Sequence, residues 1–174
     1  MKINQNITLI GLMGAGKTTV GRTLAKRMKR RFVDSDREIE ALTGVRIPVI
    51  FEMEGEAGFR MRETQMIDAL CHEQNLVLAT GGGAVIDPAN RRRLRETSWV
   101  VYLRGEPAML LARIQHNNTR PLLQGPDPLG TLTTLHEQRD ILYKEAAHWI
   151  IEIGDSAPTM ARRIEKEFKT RCEL

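Results

Sequence analysis

Gly11-Leu12-Met13-Gly14-Ala15-Gly16-Lys17-Thr18 is a glycine-rich run that ends in a lysine and a hydroxyl residue. Its spacing, G-x-x-x-x-G-K-[ST], is that of a phosphate-binding loop. Ile7-Thr8-Leu9-Ile10 before it is apolar and β-rich, and Thr19-Val20-Gly21-Arg22-Thr23-Leu24-Ala25 after it reads as the start of a helix. That strand–loop–helix order is what the chemistry needs. Glycines let backbone N–H groups close round phosphate oxygens, and the helix N-terminus adds positive potential. Gly14, Ala15, Gly16, Lys17, Thr18 and Thr19 are thus expected to hold a nucleoside triphosphate. Lys17 would reach its β- and γ-phosphates, with the Thr18 hydroxyl on Mg²⁺.

Outward from the loop, short apolar runs alternate with helical stretches. Strands are expected at Ile7–Ile10, Arg31–Asp34, Leu76–Thr80, Trp99–Leu103 and Trp149–Ile153. They are continuously apolar rather than alternating, as strands buried on both faces should be. Helices are expected at Thr18–Lys29, Gly58–His72, Pro88–Glu96, Pro107–Gln115, Leu132–Ala147 and Pro158–Lys169. In the second of these, Phe59, Glu63, Met66, Ile67 and Leu70 keep helical spacing. The alternation implies an α/β fold with a parallel sheet wrapped by helices, and ligands at the carboxyl ends of the strands. Thr43–Gly58 reads as an acidic, short-helical insertion. His116–Thr134, rich in Gly, Pro, Asn and Thr, reads as a long loop of the kind that serves as a lid.

With 174 residues, 41% of them hydrophobic, the chain suits one globular domain over 1–174. No apolar run approaches the roughly 20 residues of a membrane span. Met1–Asn6 carries no apolar signal segment, which points to the cytoplasm. Cys71 and Cys172 have no metal spacing and read as free thiols. The net charge of +4 has clusters at Lys26–Arg31 and Arg91–Arg95. Both fall toward helix ends, where cations complement the dipole, and no stacking aromatics lie nearby, so no nucleic-acid partner is expected.

Two further groups follow expected strands, and three lie on expected helices or in the expected lid. Asp34 and Asp36 would face one side if the extended chain continues, for metal handling and proton abstraction; Ser35-Asp36-Arg37-Glu38 also fits a helix capping box. Gly81-Gly82-Gly83 could bare its backbone to a ligand, or make a tight turn needing φ > 0. Arg60 could clamp a carboxylate or sit in solvent. In the expected lid, Arg120 could neutralise a transferring phosphoryl group, with Arg113 on the helix leading in. Arg139 and Tyr143, four apart, share a helix face.

In order along nearly the whole chain, these pieces resemble the shikimate kinase family: Gly11–Thr18, the Asp34/Asp36 pair, Gly58-Phe59-Arg60, Gly81–Gly83, Arg120-Pro121-Leu122-Leu123, and Arg139 before Leu142-Tyr143. The resemblance implies a nucleoside monophosphate kinase-like three-layer fold with a five-stranded parallel sheet, a substrate-binding segment at about 34–62 and a lid at about 113–126. It implies ATP-dependent phosphorylation of shikimate to 3-phosphoshikimate in aromatic amino-acid biosynthesis, with Mg²⁺; the modest size and charged faces suit a monomer. Arg60 and Arg139 would clamp the substrate carboxylate. Asp36 would hold ring hydroxyls and act as base, and Gly81 and Gly82 would close the pocket. Asp34 would reach Mg²⁺ through water. Arg120 would bridge ATP and the transfer site, Arg113 would flank the adenine, and the Gly154–Pro158 loop, through Ser156, would cover its other face. Among related chemistries, a gluconate or nucleoside monophosphate kinase is the rival; paired carboxylate-directed arginines favour an acidic polyol. A nucleotide-dependent nucleic-acid binder would leave the acidic pair and triple glycine without a role.

Overall fold

The computed structural model describes residues 5–114 and 125–172. Five strands, β1 (Asn6–Ile10), β2 (Arg31–Asp34), β3 (Leu76–Ala79), β4 (Ser98–Arg104) and β5 (Trp149–Glu152), form one parallel sheet in the order β2-β3-β1-β4-β5. Helices α1 (Lys17–Met28), α2 (Ser35–Thr43), α3 (Ile47–Cys71), α4 (Pro88–Thr97), α5 (Pro107–Ile114), α6 (Pro128–Ala146) and α7 (Ala157–Cys172) flank it. Every residue of β1 and β3 is buried, as their apolar runs require. The edge strands β2 and β5 are only half buried, with Ile150 40% exposed, so continuous burial holds for the inner strands alone. Both cysteines are free. Among the described residues, no helix is long and apolar enough to cross a membrane.

This strand order positions the site. From β1 the chain crosses α1 to the edge strand β2, and β3 then fills the gap between them. Register places Leu9 and Asp34 level with Ala79 on either side. The loops after β1, β2 and β3 therefore emerge side by side, where a doubly wound sheet opens its crevice.

Three expectations change. The extended chain ends at Asp34, because α2 begins at Ser35. Asp34, not Ser35, caps that helix: its Oδ1 accepts from the backbone N–H of Asp36 at 3.0 Å and of Arg37 at 3.3 Å. The helix expected from Leu132 begins at Pro128, because Asp127 accepts from Gly130 N–H and Pro128 supplies the first turn. The expected loop His116–Thr134 thus ends in helix, on the same Asp-Pro signal as Asp87-Pro88. The helix expected from Gly58 starts at Ile47 with Pro48 in its first turn, and Gly55, at φ 72°, breaks it.

Several arginines of the basic clusters make internal contacts. Arg27 pairs with Glu165 at 2.8 Å, Arg30 donates to Gln5 O at 2.6 Å, and Arg93 pairs with Asp68 at 2.9 Å. Arg91 and Arg95 donate to backbone carbonyls of Val85 and Ala147.

Candidate active site

The glycine loop adopts the expected cradle. Gly14 and Gly16 stand at φ 82° and 90°, and Gly16 caps α1 in the left-handed region that other residues rarely enter. A Cβ on Gly14 would also lie 2.8 Å from Leu110 O. Lys17 Nζ donates to Gly11 O at 2.5 Å and Leu12 O at 2.9 Å, which folds the ammonium over its own loop. Thr18 Oγ1 donates to Asp34 Oδ2 at 3.0 Å. One Asp34 oxygen is thereby fixed by α2 and the other by Thr18, side by side at the helix start.

Two cavities meet at this point. One, of about 560 Å³, is lined by the loop, Thr19, Arg113 and Ser156 among others. The second, of about 240 Å³, is lined by Asp34, Asp36, Phe59, Arg60, Gly81–Gly83 and Arg139 among others. Met13, Lys17 and Thr18 line both. In the larger cavity Arg113 Nη1 approaches Ala15 O at 3.5 Å, so it leans over the loop. The Ser156 hydroxyl is turned to the start of α7, where it accepts from Thr159 N–H. Arg120 and most of the expected lid lie outside the described residues.

The smaller cavity is strongly polar at its base. Burial, reinforced by the neighbouring Glu63 and Asp34 carboxylates, pushes the Asp36 pKa up to about 6 against the pull of Lys17 and Arg60. The group is still mainly ionised at neutral pH, which suits a proton acceptor. Asp36 Oδ1, Glu63 Oε2, Arg60 Nε and Thr80 Oγ1 are buried and hydrogen-bond to no protein group. Buried polar groups in that condition are uncommon, and here they gather on one cavity wall.

Gly81–Gly83 serve space, not backbone freedom. None has a positive φ. A Cβ on Gly81 would lie 2.7 Å from Asp36 Oδ1, and one on Gly83 would strike the Arg60 guanidinium. Gly82 has room, and its carbonyl accepts from Tyr143 Oη at 2.6 Å. Of the two readings of this run, the tight turn needing φ > 0 does not hold; charged side chains occupy the space beside Gly81 and Gly83.

Glu63 is the residue the sequence reading passed over. It is 1% exposed and accepts from Arg60 Nη1 at 2.9 Å. Burial raises its pKa, opposed by Arg60 and Arg139. Its signal was an acid inside a core-facing stripe, between Phe59 and Ile67. Thr80, at the end of the expected third strand, also lines the cavity, and Ile47, Phe51 and Phe59 supply its apolar wall.

The Arg60–Glu63 pair makes truncation of Arg60 costly twice. Removing one partner of a buried ion pair costs about 3–5 kcal/mol, and Glu63 can lower that toward the small end by taking up a proton. Arg60→Ala is expected to lower Tm and to weaken acceptor binding together. Arg60→Ala with an unchanged Tm and an unchanged acceptor KM would place the clamp elsewhere.

A phosphate cradle and an acidic, arginine-flanked cavity joined at Lys17 define a phosphoryl-transfer kinase of the P-loop class. The shikimate kinase family model matches residues 13–169. A shikimate kinase from Burkholderia pseudomallei is 59% identical over 149 residues, covering 86% of this chain and 81% of that protein. The solved shikimate kinase from Acinetobacter baumannii in complex with shikimate superposes with a TM-score of 0.93 at 46% identity, covering 98% of this chain and 96% of that one. The chain belongs to the shikimate kinase family. A gluconokinase from Sinorhizobium meliloti, at 15% identity and a TM-score of 0.57, shares the fold alone.

Proposed function

We propose that the protein transfers the γ-phosphoryl group of ATP to the 3-hydroxyl of shikimate. The observation that carries this reading is the pair of cavities sharing Lys17 and Thr18. The donor lies in the larger cavity, its phosphates on the Gly14–Thr19 backbone and Lys17, with Arg113 and the Ser156 loop beside the nucleoside. The acceptor lies in the smaller one, between elements of the 34–62 segment, the Gly81–Gly83 turn and α6. Arg60 and Arg139 bind its carboxylate. Asp36, Glu63 and Thr80 present the buried, unsatisfied polar atoms that a triol can satisfy.

In the reaction the acceptor oxygen attacks the γ-phosphorus, the bond from that phosphorus to ADP breaks, and Asp36 takes the hydroxyl proton. Lys17 stabilises charge on the phosphates. Thr18 and Asp34 fit Mg²⁺: two hard oxygens held side by side are what an ion that also binds substrate phosphates requires. When bound, Mg²⁺ neutralises charge on the β- and γ-phosphates. The family resemblance gives Arg120, which lies outside the described residues, the role of neutralising charge on the transferring group.

A coupled assay of ADP release with Mg²⁺ tests the reading. Turnover is expected with shikimate and not with gluconate or AMP. Turnover with either of those at the shikimate rate, or none with shikimate, overturns it.

A further inference from the structure

Tyr143 lines neither cavity, yet it stands behind two residues, Gly82 and Arg139, that line the smaller one. It lies one turn beyond Arg139 on α6 and is wholly buried. Its Oη donates to Gly82 O at 2.6 Å, and the Arg139 guanidinium stands beside it, its charge opposing the rise of the phenol's pKa. The same point bears on both neighbours: a Cβ on Gly82 would lie 3.7 Å from Arg139 Nη1 and 3.7 Å from Tyr143 Oη. The ring packs on Tyr102 at 4.8 Å between centroids, and Tyr102 Oη is tied to Asp140 at 2.9 Å. Asp140 in turn holds Arg104 Nε at 3.0 Å and Lys144 Nζ at 2.7 Å. The hydroxyl is therefore anchored from β4 through a packed ring. Burial pushes its pKa up to about 12, so it keeps the proton it donates to Gly82.

We infer that Tyr143 is a positioning residue for the acceptor: its hydroxyl sets the Arg139 guanidinium and the Gly81–Gly83 turn in one fixed relation, so that both meet shikimate together. Arg139 leaves α6 as a long side chain with several rotamers, and the turn leaves β3 with three small residues. Neither end is rigid alone. One buried hydroxyl, donating to the turn and standing beside the guanidinium, limits that freedom before the substrate arrives. The role concerns the carboxylate that Arg139 binds rather than the transfer of the phosphoryl group.

The inference rests on shikimate as the acceptor. Its test is Tyr143→Phe in the full chain, which deletes the hydroxyl and keeps the ring. The KM for shikimate is expected to rise roughly 5–30-fold, the range for a lost buried hydrogen bond whose partners stay behind. With chemistry untouched, kcat should stay within about threefold and ADP affinity within about twofold. In an Arg139→Ala background the same substitution should raise KM less than about twofold, because the two groups act as a unit. An unchanged shikimate KM in a folded Tyr143→Phe protein overturns the inference, as does a parallel loss of ADP affinity or loss of the fold, either of which marks a general structural role. Full multiplicative effects of the two substitutions also overturn it. A wild-type protein that releases no ADP with shikimate overturns the functional reading itself. Normal wild-type turnover beside an unaltered Tyr143→Phe overturns this inference alone.

Discussion

Asp36→Asn is expected to lower kcat by about 10²–10⁴, the contribution of a well-placed general base. The substitution keeps the size and one hydrogen-bonding oxygen of the side chain but cannot accept the proton of the attacking hydroxyl. The loss should not come from unfolding. A carboxyl group whose folded pKa is about 6, against an ordinary 3.8, favours folding most when protonated, below 3.8, and loses that advantage as pH rises through about 6. Above that pH the buried charge beside Glu63 and Asp34 costs stability, and asparagine removes the charge. The nucleotide-free variant should therefore melt no lower than the wild type at neutral pH. A near-normal kcat would reduce Asp36 to a binding residue; a collapsed Tm would deprive the kinetic loss of its meaning.

Lys17→Met should lower kcat/KM by roughly 10²–10³, the cost of removing one preorganised charge from the developing negative oxygens. Methionine keeps the unbranched apolar stem and loses the ammonium. The cradle itself is made by Gly14, Gly16 and the α1 N-terminus, so its shape survives. Nζ does bridge Gly11 O and Leu12 O, and a small fall in Tm follows from their lost partner. ADP affinity should fall far less than turnover, since backbone N–H groups still face the phosphates. Retention of full activity would remove Lys17 from the reaction.

The strands and most helices were legible because their signals are local. A glycine loop between a β-run and a helix needs no distant contact to be recognised, and apolar runs at β1, β3 and β4 match burial throughout. The misreadings were also local. Asp34 and Ser35 both suit a cap, and which one serves depends on where β2 lets go of β3. The helix at Pro128 was hidden by the proline, glycine and threonine of its first turn, though Asp127-Pro128 announced it.

The donor half of this protein is written in consecutive residues, Gly11 to Thr18, since a phosphate cradle is made mainly of backbone and backbone conformation follows local sequence. The smaller cavity, the proposed acceptor half, is lined by Asp36, Arg60, Glu63, Thr80, Gly82 and Arg139, drawn from four separate stretches of chain. Arg60 read alone could be a surface residue and Glu63 a misplaced acid. Only parallel register, which sets β1, β2 and β3 level, brings them into one buried cavity. There desolvation raises the Asp36 pKa, leaves polar atoms unsatisfied and turns ordinary side chains into a recognition surface.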